Sequence, residues 1–137
     1  MTIKFIDSFF DSNSGISTVT VQCRGENYYG EALCHPDDIQ SNFMGCHLAE
    51  ARAQIKALKA EKKRLVQEYK DWQVFVKKCE QYKNFDKESS TARAMYRQLN
   101  RKKREVDYIE KWISVKKQYI DNKIKTYDKM VNKNEKD

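Results

Sequence analysis

The sequence predicts an α+β fold that is mostly α, in which a short N-terminal β-hairpin packs on a long, coiled-coil-like antiparallel helical hairpin. Three observations lead to this prediction. The 137 residues include 34% charged side chains but one proline and four glycines, a composition that favours long helices. Residues 16–24 alternate between apolar and polar, and apolar residues then recur at seven-residue spacing along two long segments. We expect one structural domain, with an N-terminal arm and the hairpin in residues 1–44 and the helices in residues 45–137.

Residues 1–34 are predicted to form an arm followed by two strands. An apolar cluster opens the chain and a polar turn follows at residues 11–15, which is typical of a packing arm that ends in a loop. The cluster consists of Phe5, Ile6, Phe9 and Phe10. Val19, Val21 and Cys23 then alternate with polar residues, and turn-forming residues separate them from a second segment at residues 28–33. Residues 16–34 should therefore form a β-hairpin.

The first long helix is predicted from Gly45 to Tyr82, after Pro36 ends the second strand and residues 39–44 form an irregular segment. Two rows of apolar residues at seven-residue spacing indicate a coiled-coil seam. The rows are Ala51, Leu58, Leu65, Trp72 and Cys79, and Leu48, Ile55, Tyr69 and Val76. Lys62 interrupts the seam, which predicts either a local opening or a side chain that extends over apolar surface to solvent.

The second long helix is predicted to begin after a polar connector at residues 83–90, which ends in good helix-start residues. A seven-residue row in this helix predicts that it folds back on the first helix. The row is Leu99, Val106, Ile113, Ile120 and Tyr127. Residues 132–137 should fray.

Charge is distributed unevenly along the chain. Residues 1–47 carry a net charge of −4 and residues 48–137 a net charge of +11. This asymmetry indicates an anionic partner, which could be nucleic acid, a nucleotide, a membrane surface or an acidic protein. No run of 18 apolar residues and no signal-peptide pattern occurs, so we expect a soluble cytoplasmic protein with no membrane partner. Its four cysteines should then be reduced thiols.

Basic and amide side chains converge on one face of the second helix. They recur at steps of three or four residues and span about 100° of arc, about half a turn from the apolar row. These residues are Arg93, Arg97, Asn100, Arg101 and Arg104. Tyr108, Trp112 and Tyr119 continue the same face, and such a surface suits phosphate and stacked bases. A solvated surface or a dimer seam would give the same pattern, and the aromatic half should be covered by a second chain or by the N-terminal sheet.

Catalytic and metal-binding equipment is not expected. The pairs Cys34-His35 and Cys46-His47 lack tight ligand spacing, so we predict no metal and no cofactor. No Walker loop, glycine-rich dinucleotide turn or nucleophile elbow occurs, which argues against an enzyme. No known nucleic-acid-reading module is visible either, although basic coiled-coil helices could bind nucleic acid without sequence specificity.

Two stretches, YYGEALCHPDD at residues 28–38 and GCHLAEARA at residues 45–53, resemble a pattern in small proteins of Gram-positive phages and prophages. With the hairpin, the long helices and the arginines, the whole chain resembles the phage-encoded Thoeris anti-defence sponges of the first type. These non-catalytic dimers or higher oligomers sequester cyclic ADP-ribose isomers made by bacterial TIR-domain enzymes, and some also hold cyclic oligonucleotides.

The resemblance implies that the chain captures a cyclic nucleotide immune signal in the cytoplasm of an infected bacterial cell. The same five side chains, Arg93, Arg97, Asn100, Arg101 and Arg104, are then the best phosphate and ribose contacts. Phe75, Tyr82 and Phe85 are the candidates for stacking on the ligand. The alternative is an anti-CRISPR-type inhibitor that uses its basic helices to bind nucleic acid or a nucleic-acid-handling protein.

Overall fold

A three-stranded antiparallel sheet followed by two long antiparallel helices makes up the fold, as the α+β, mostly α prediction expects. The computed structural model describes the backbone of residues 1–33 and 39–136 and the side chains of residues 1–33 and 45–126. The elements are β1 (Ile3–Asp11), β2 (Ile16–Cys23), β3 (Glu26–Leu33), α1 (Ile39–Glu80) and α2 (Ser90–Lys136). The chain divides into two compact units, residues 1–59 with 113–137 and residues 60–112.

The N-terminal segment is a strand, so its prediction as a packing arm is wrong. Strand β1 pairs antiparallel with β2, from Ile3 opposite Cys23 to Asp11 opposite Ile16. Its alternation is hidden because a β-bulge between Phe5 and Asp7 shifts the register by one residue. The bulge accounts for the Phe5-Ile6 doublet, whereas Phe9 and Phe10 are adjacent because both faces of the strand are aromatic there. Without the register, the four residues resemble an irregular apolar cluster.

The predicted hairpin is confirmed, with β2 and β3 paired along their full length and β2 at the centre of the sheet order β1-β2-β3. The two residues of its turn, Arg24 and Gly25, both have positive φ angles, 52° and 78°. Two consecutive positive φ angles match a type I′ turn, whose twist suits a tight β-hairpin.

In the first unit, one face of the sheet packs on α1. Val19 and Val21 of β2 are fully buried and form a core cluster with Ala49 and Ala53 of α1. Ile120 and Ile124 of α2 pack against the same cluster. Small residues on α1 therefore let the helix lie close to the sheet.

In the second unit, α1 and α2 bury Leu65, Val76, Met95 and Ile109. The indole N–H of Trp72 donates a hydrogen bond across the helix pair to the carbonyl oxygen of Met95, at 3.2 Å. The predicted seam is thus closed by a polar contact as well as by apolar packing.

Lys62, which interrupts the apolar row, is half-buried and directs its ammonium group to the edge of the helix pair. Its Nζ lies 3.2 Å from a carboxylate oxygen of Glu110 on α2. Lys62 therefore occupies a core-type position but extends over apolar surface to an ion-pair partner, which is the second of the two predicted outcomes.

Each helix is longer than predicted at one end, although α1 ends at Glu80 rather than at Tyr82. Helix α1 begins at Ile39 rather than Gly45, because residues 39–44 contain no proline and one glycine inside a helix costs only about 1 kcal/mol. Helix α2 continues to Lys136, through the segment predicted to fray. The connector is confirmed, and the Ser89 hydroxyl caps α2 by accepting the Ala92 amide hydrogen bond at 3.1 Å.

Candidate functional site

The candidate site is the outer face of α2 in the second unit, here called the arginine face. It consists of Arg93, Arg97, Asn100, Arg101 and Arg104, all exposed. Met95 and Ile109 on the opposite side of the helix are buried. The Ser89 cap fixes where α2 begins, and the helical period then carries the five side chains to the side away from the core.

Two of the arginines form ion pairs with neighbouring glutamates. The Arg93 guanidinium donates to Glu88 at 3.1 Å, and Arg101 Nε lies 3.3 Å from Glu105. The two arginine side chains are 63% and 66% exposed, and ion pairs of such exposed groups contribute little to stability. An anionic ligand can therefore replace either glutamate at small cost.

Arg97 and Arg104 have no carboxylate partner among the described residues. Their guanidinium groups therefore keep every N–H donor for solvent or a ligand. From Arg93 to Arg104 the row runs about 16 Å along the axis of α2, at a rise of about 1.5 Å per residue. The face is thus long enough to contact several phosphate groups at once.

The three predicted stacking residues lie in different surroundings. Phe75 is on α1, where its ring centroid is 5.0 Å from that of Trp72. Because the arginine face is turned away from α1, Phe75 does not belong to it. Tyr82 and Phe85 lie in the connector that leads into α2 at the Arg93 end, and Tyr82 is 73% exposed while Phe85 is half-buried.

Aromatic residues continue the arginine face along α2. The rings of Tyr108 and Trp112 meet edge to face with centroids 6.2 Å apart, and both side chains are exposed. In the first unit, Val115 and Tyr119 are also exposed, so the sheet of the same unit does not cover them.

The sequence analysis missed a charge network around one buried carboxylate, that of Glu61. Glu61 is only 5% exposed, and the Arg64 guanidinium donates to both of its carboxylate oxygens and to Glu68. The hydrogen bond to Glu61 is the main cause of the raised pKa of Arg64. The spacing of Glu61, Arg64 and Glu68 along α1 could have predicted this network. It was missed because the seam was predicted from apolar residues alone.

Helix α2 adds Lys102 to this network. Its Nζ lies 3.8 Å from Glu68 and 5.8 Å from the centre of the Trp72 ring. Carboxylate and ring together hold the lysine between the helices. The network joins α1 to α2 and has a structural role.

Metal and thiol chemistry has little support in the part of the chain that the structure describes. There, no group of three or more His, Cys, Asp or Glu side chains could hold a metal ion. Cys23, Cys46 and Cys79 form no disulfide bond among the described residues. Cys34 and His35 lie outside the described residues. None of the described helices is long and apolar enough to cross a membrane.

Comparison with known proteins finds no matching family model, no matching curated relative and no matching solved structure. The function therefore has to be argued from the chemistry of the arginine face.

Proposed function

We propose that the arginine face binds a phosphate-bearing nucleotide and holds it without turnover, so that the protein acts as a sponge for a cyclic nucleotide signal. The ligand class is a cyclic ADP-ribose isomer or a cyclic oligonucleotide. One observation carries the proposal: four guanidinium groups and one amide lie exposed on a single helix face, opposite the core.

Phosphate recognition follows from the geometry of arginine. A guanidinium offers five N–H donors in a planar fork that matches two phosphate oxygens, and such charge-assisted hydrogen bonds are about twice as strong as neutral ones. Arg97 and Arg104 are the primary phosphate contacts, because neither has a carboxylate partner among the described residues. Arg93 and Arg101 join them by exchanging Glu88 and Glu105 for the ligand. Asn100 can both donate to and accept from a ribose hydroxyl.

Sequestration, rather than turnover, fits the chemistry of these side chains. Arginine stays protonated at every working pH, so it cannot act as a general base, and the Asn100 amide is neither an acid nor a nucleophile of catalytic strength. Tyr82, the most exposed of the three stacking candidates, lies at the Arg93 end and offers a ring to a base.

Nucleic-acid binding is the second candidate, and the openness of the face favours it. An exposed helix side can follow a phosphate backbone, and sequence-independent binding of that kind needs only positive charge. The two candidates differ in measurable ways. Duplex binding weakens steeply with salt and tolerates single substitutions, whereas a small nucleotide depends on a few individual contacts.

Calorimetric titration tests the proposal with a cyclic ADP-ribose isomer, a cyclic trinucleotide and a short DNA duplex. We expect Arg101→Ala to weaken nucleotide binding by about tenfold to a hundredfold, since one charged hydrogen bond contributes about 1.5–3 kcal/mol. The matched control is Lys103→Ala, which removes one positive charge from an exposed position outside the arginine face. It should change nucleotide affinity by less than about twofold.

The outcome separates the candidates. Binding of the duplex alone, or equal effects of the two substitutions, overturns the nucleotide proposal. Turnover is tested separately: after incubation and heat denaturation, mass spectrometry should recover the nucleotide with its mass unchanged.

A further inference from the structure

The sheet leaves one of its faces uncovered in the described chain. Cross-strand partners share a face of a sheet, and residues on one strand alternate between faces. Val19 and Val21 face α1, so Thr18 and its partners Phe9 and Glu31 face the other way. The same register places further residues on this open sheet face: Asp7, Asp11, Ile16, Thr20, Tyr29 and Leu33.

Large apolar side chains stand out from the open sheet face. Leu33 is 77% exposed and Phe9 is 68% exposed, and Tyr29 is also exposed. A grouped apolar patch of this kind on a soluble protein marks a surface that packs against a partner. We therefore expect the open sheet face to bind a partner.

The charges around the patch indicate what that partner carries. Asp7, Asp11 and Glu31 lie on the open sheet face, against one basic residue, Lys4. The Asp11 carboxylate accepts a hydrogen bond from the Asn13 amide at 2.9 Å, which lowers its pKa and keeps it ionised. Carboxylates and apolar side chains alternate across the open sheet face, so the complementary surface combines apolar and basic residues.

Such a surface is present on α2 of the same protein. Tyr108 and Trp112 form an exposed pair of rings, and the exposed basic residues Arg104 and Lys111 are one helical turn from Tyr108. Residues 90–112 carry a net charge of +4. Rings can pack on Phe9 and Leu33 while the basic residues meet the carboxylates.

We propose that the open sheet face of one copy packs on the Tyr108 and Trp112 surface of a second copy. Two open sheet faces are a poorer match for each other, because each carries three carboxylates and one lysine. The contact joins two different surfaces, so it is heterologous and builds a closed ring or an open filament unless two copies exchange it reciprocally. The contact shares Arg104 with the arginine face but does not use Arg93 or Arg97, so substitution of either of these two should weaken nucleotide binding without changing assembly.

Complementary charge variants test this contact. The sheet variant combines Phe9→Lys with Leu33→Lys, and the helix variant combines Tyr108→Glu with Trp112→Glu. Light scattering at about 50 µM should give an oligomer for the wild type and a monomer for each variant alone. A 1:1 mixture should assemble again, because the intact sheet face of the helix variant can pack on the intact Tyr108 and Trp112 surface of the sheet variant.

Each alternative gives a different result, and each overturns the proposal. A monomeric wild type excludes the contact. If the helix variant stays oligomeric, the sheets pack on each other, and if the sheet variant does, the helices pack on each other. A mixture of folded variants that stays monomeric also excludes it. Circular dichroism checks folding, and Val74→Glu, at an exposed apolar residue of α1, is the control that should leave the mass unchanged.

Discussion

Gly30 of β3 lies against the backbone of α1 at Ala49. A Cβ atom at position 30 would be 1.9 Å from the Ala49 carbonyl oxygen and 2.5 Å from the Ala53 amide nitrogen. Real side chains do not approach backbone atoms so closely, and a backbone atom cannot move aside as a flexible side chain does. The absence of a side chain at this position therefore sets how closely α1 packs on the sheet, over the fully buried Val19 opposite Gly30.

We expect Gly30→Ala to destabilise the protein by about 3 kcal/mol, at the upper end of ordinary overpacking, because the clash is with main chain. Urea unfolding followed by circular dichroism measures the loss. The matched control is Gly25→Ala, where a Cβ meets nothing within 4 Å but φ is +78°, so only the backbone strain of about 1 kcal/mol applies. Equal losses for the two variants would show that the helix and sheet pack less closely in solution.

Arg64 should matter more for stability than the exposed arginines of α2. Removing its guanidinium takes a two-pronged hydrogen-bond partner from the buried Glu61 carboxylate, and hydrogen bonds to charged groups contribute about 1.5–3 kcal/mol. We expect Arg64→Met to lower the free energy of unfolding by that amount in urea titration. Arg93→Met, which breaks an exposed pair with Glu88, should cost less than about 1 kcal/mol.

A double variant shows whether charge burial is the cause. Glu61→Leu combined with Arg64→Met removes both charges and fills the site with apolar side chains. Its stability should recover most of the loss, since well-packed apolar replacements of buried pairs are often neutral. If the double variant is as unstable as Arg64→Met, the loss comes from packing of the Arg64 stem instead.

Local periodicity in the sequence predicts much of the fold. It does not predict features that depend on strand register or on contact with another element. The alternation of β2 and the seven-residue rows predict the hairpin and both helices, because in each case one face is buried. Strand β1 was not predicted, because the bulge after Phe5 breaks the alternation of its residues. Gly30 looks like an ordinary strand glycine until α1 lies on it.

The arginine face was predictable for the same reason as the helices. Once Met95 and Ile109 are assigned to the core, the arginines must point outward. The ion pairs of Arg93 and Arg101 follow from short spacings but depend on rotamers. The contact of Trp72 with the Met95 carbonyl depends on how the two helices are aligned. The residue pattern of one helix does not give that alignment.

Tyr96 on α2 carries a polar atom in an unfavourable place. Its hydroxyl oxygen is buried and makes no hydrogen bond of good geometry among the described residues, although the Glu80 carboxylate is near enough to raise its pKa. An unsatisfied buried hydroxyl costs free energy that a phenyl ring of the same shape avoids. We expect Tyr96→Phe to raise the melting temperature by a few degrees at neutral pH, measured by calorimetry.

The same substitution should change how stability depends on pH. Desolvation, followed by the negative charge of Glu80, raises the pKa of Tyr96 in the folded protein above the ordinary value of about 10. Above pH 10 the unfolded chain then loses this proton before the folded chain does, so the wild type loses stability as pH rises. Tyr96→Phe has no proton to lose, and its advantage in melting temperature should widen from pH 9 to pH 11. A variant that is less stable than the wild type at pH 7 would mean that the hydroxyl donates a hydrogen bond to Glu80 in solution.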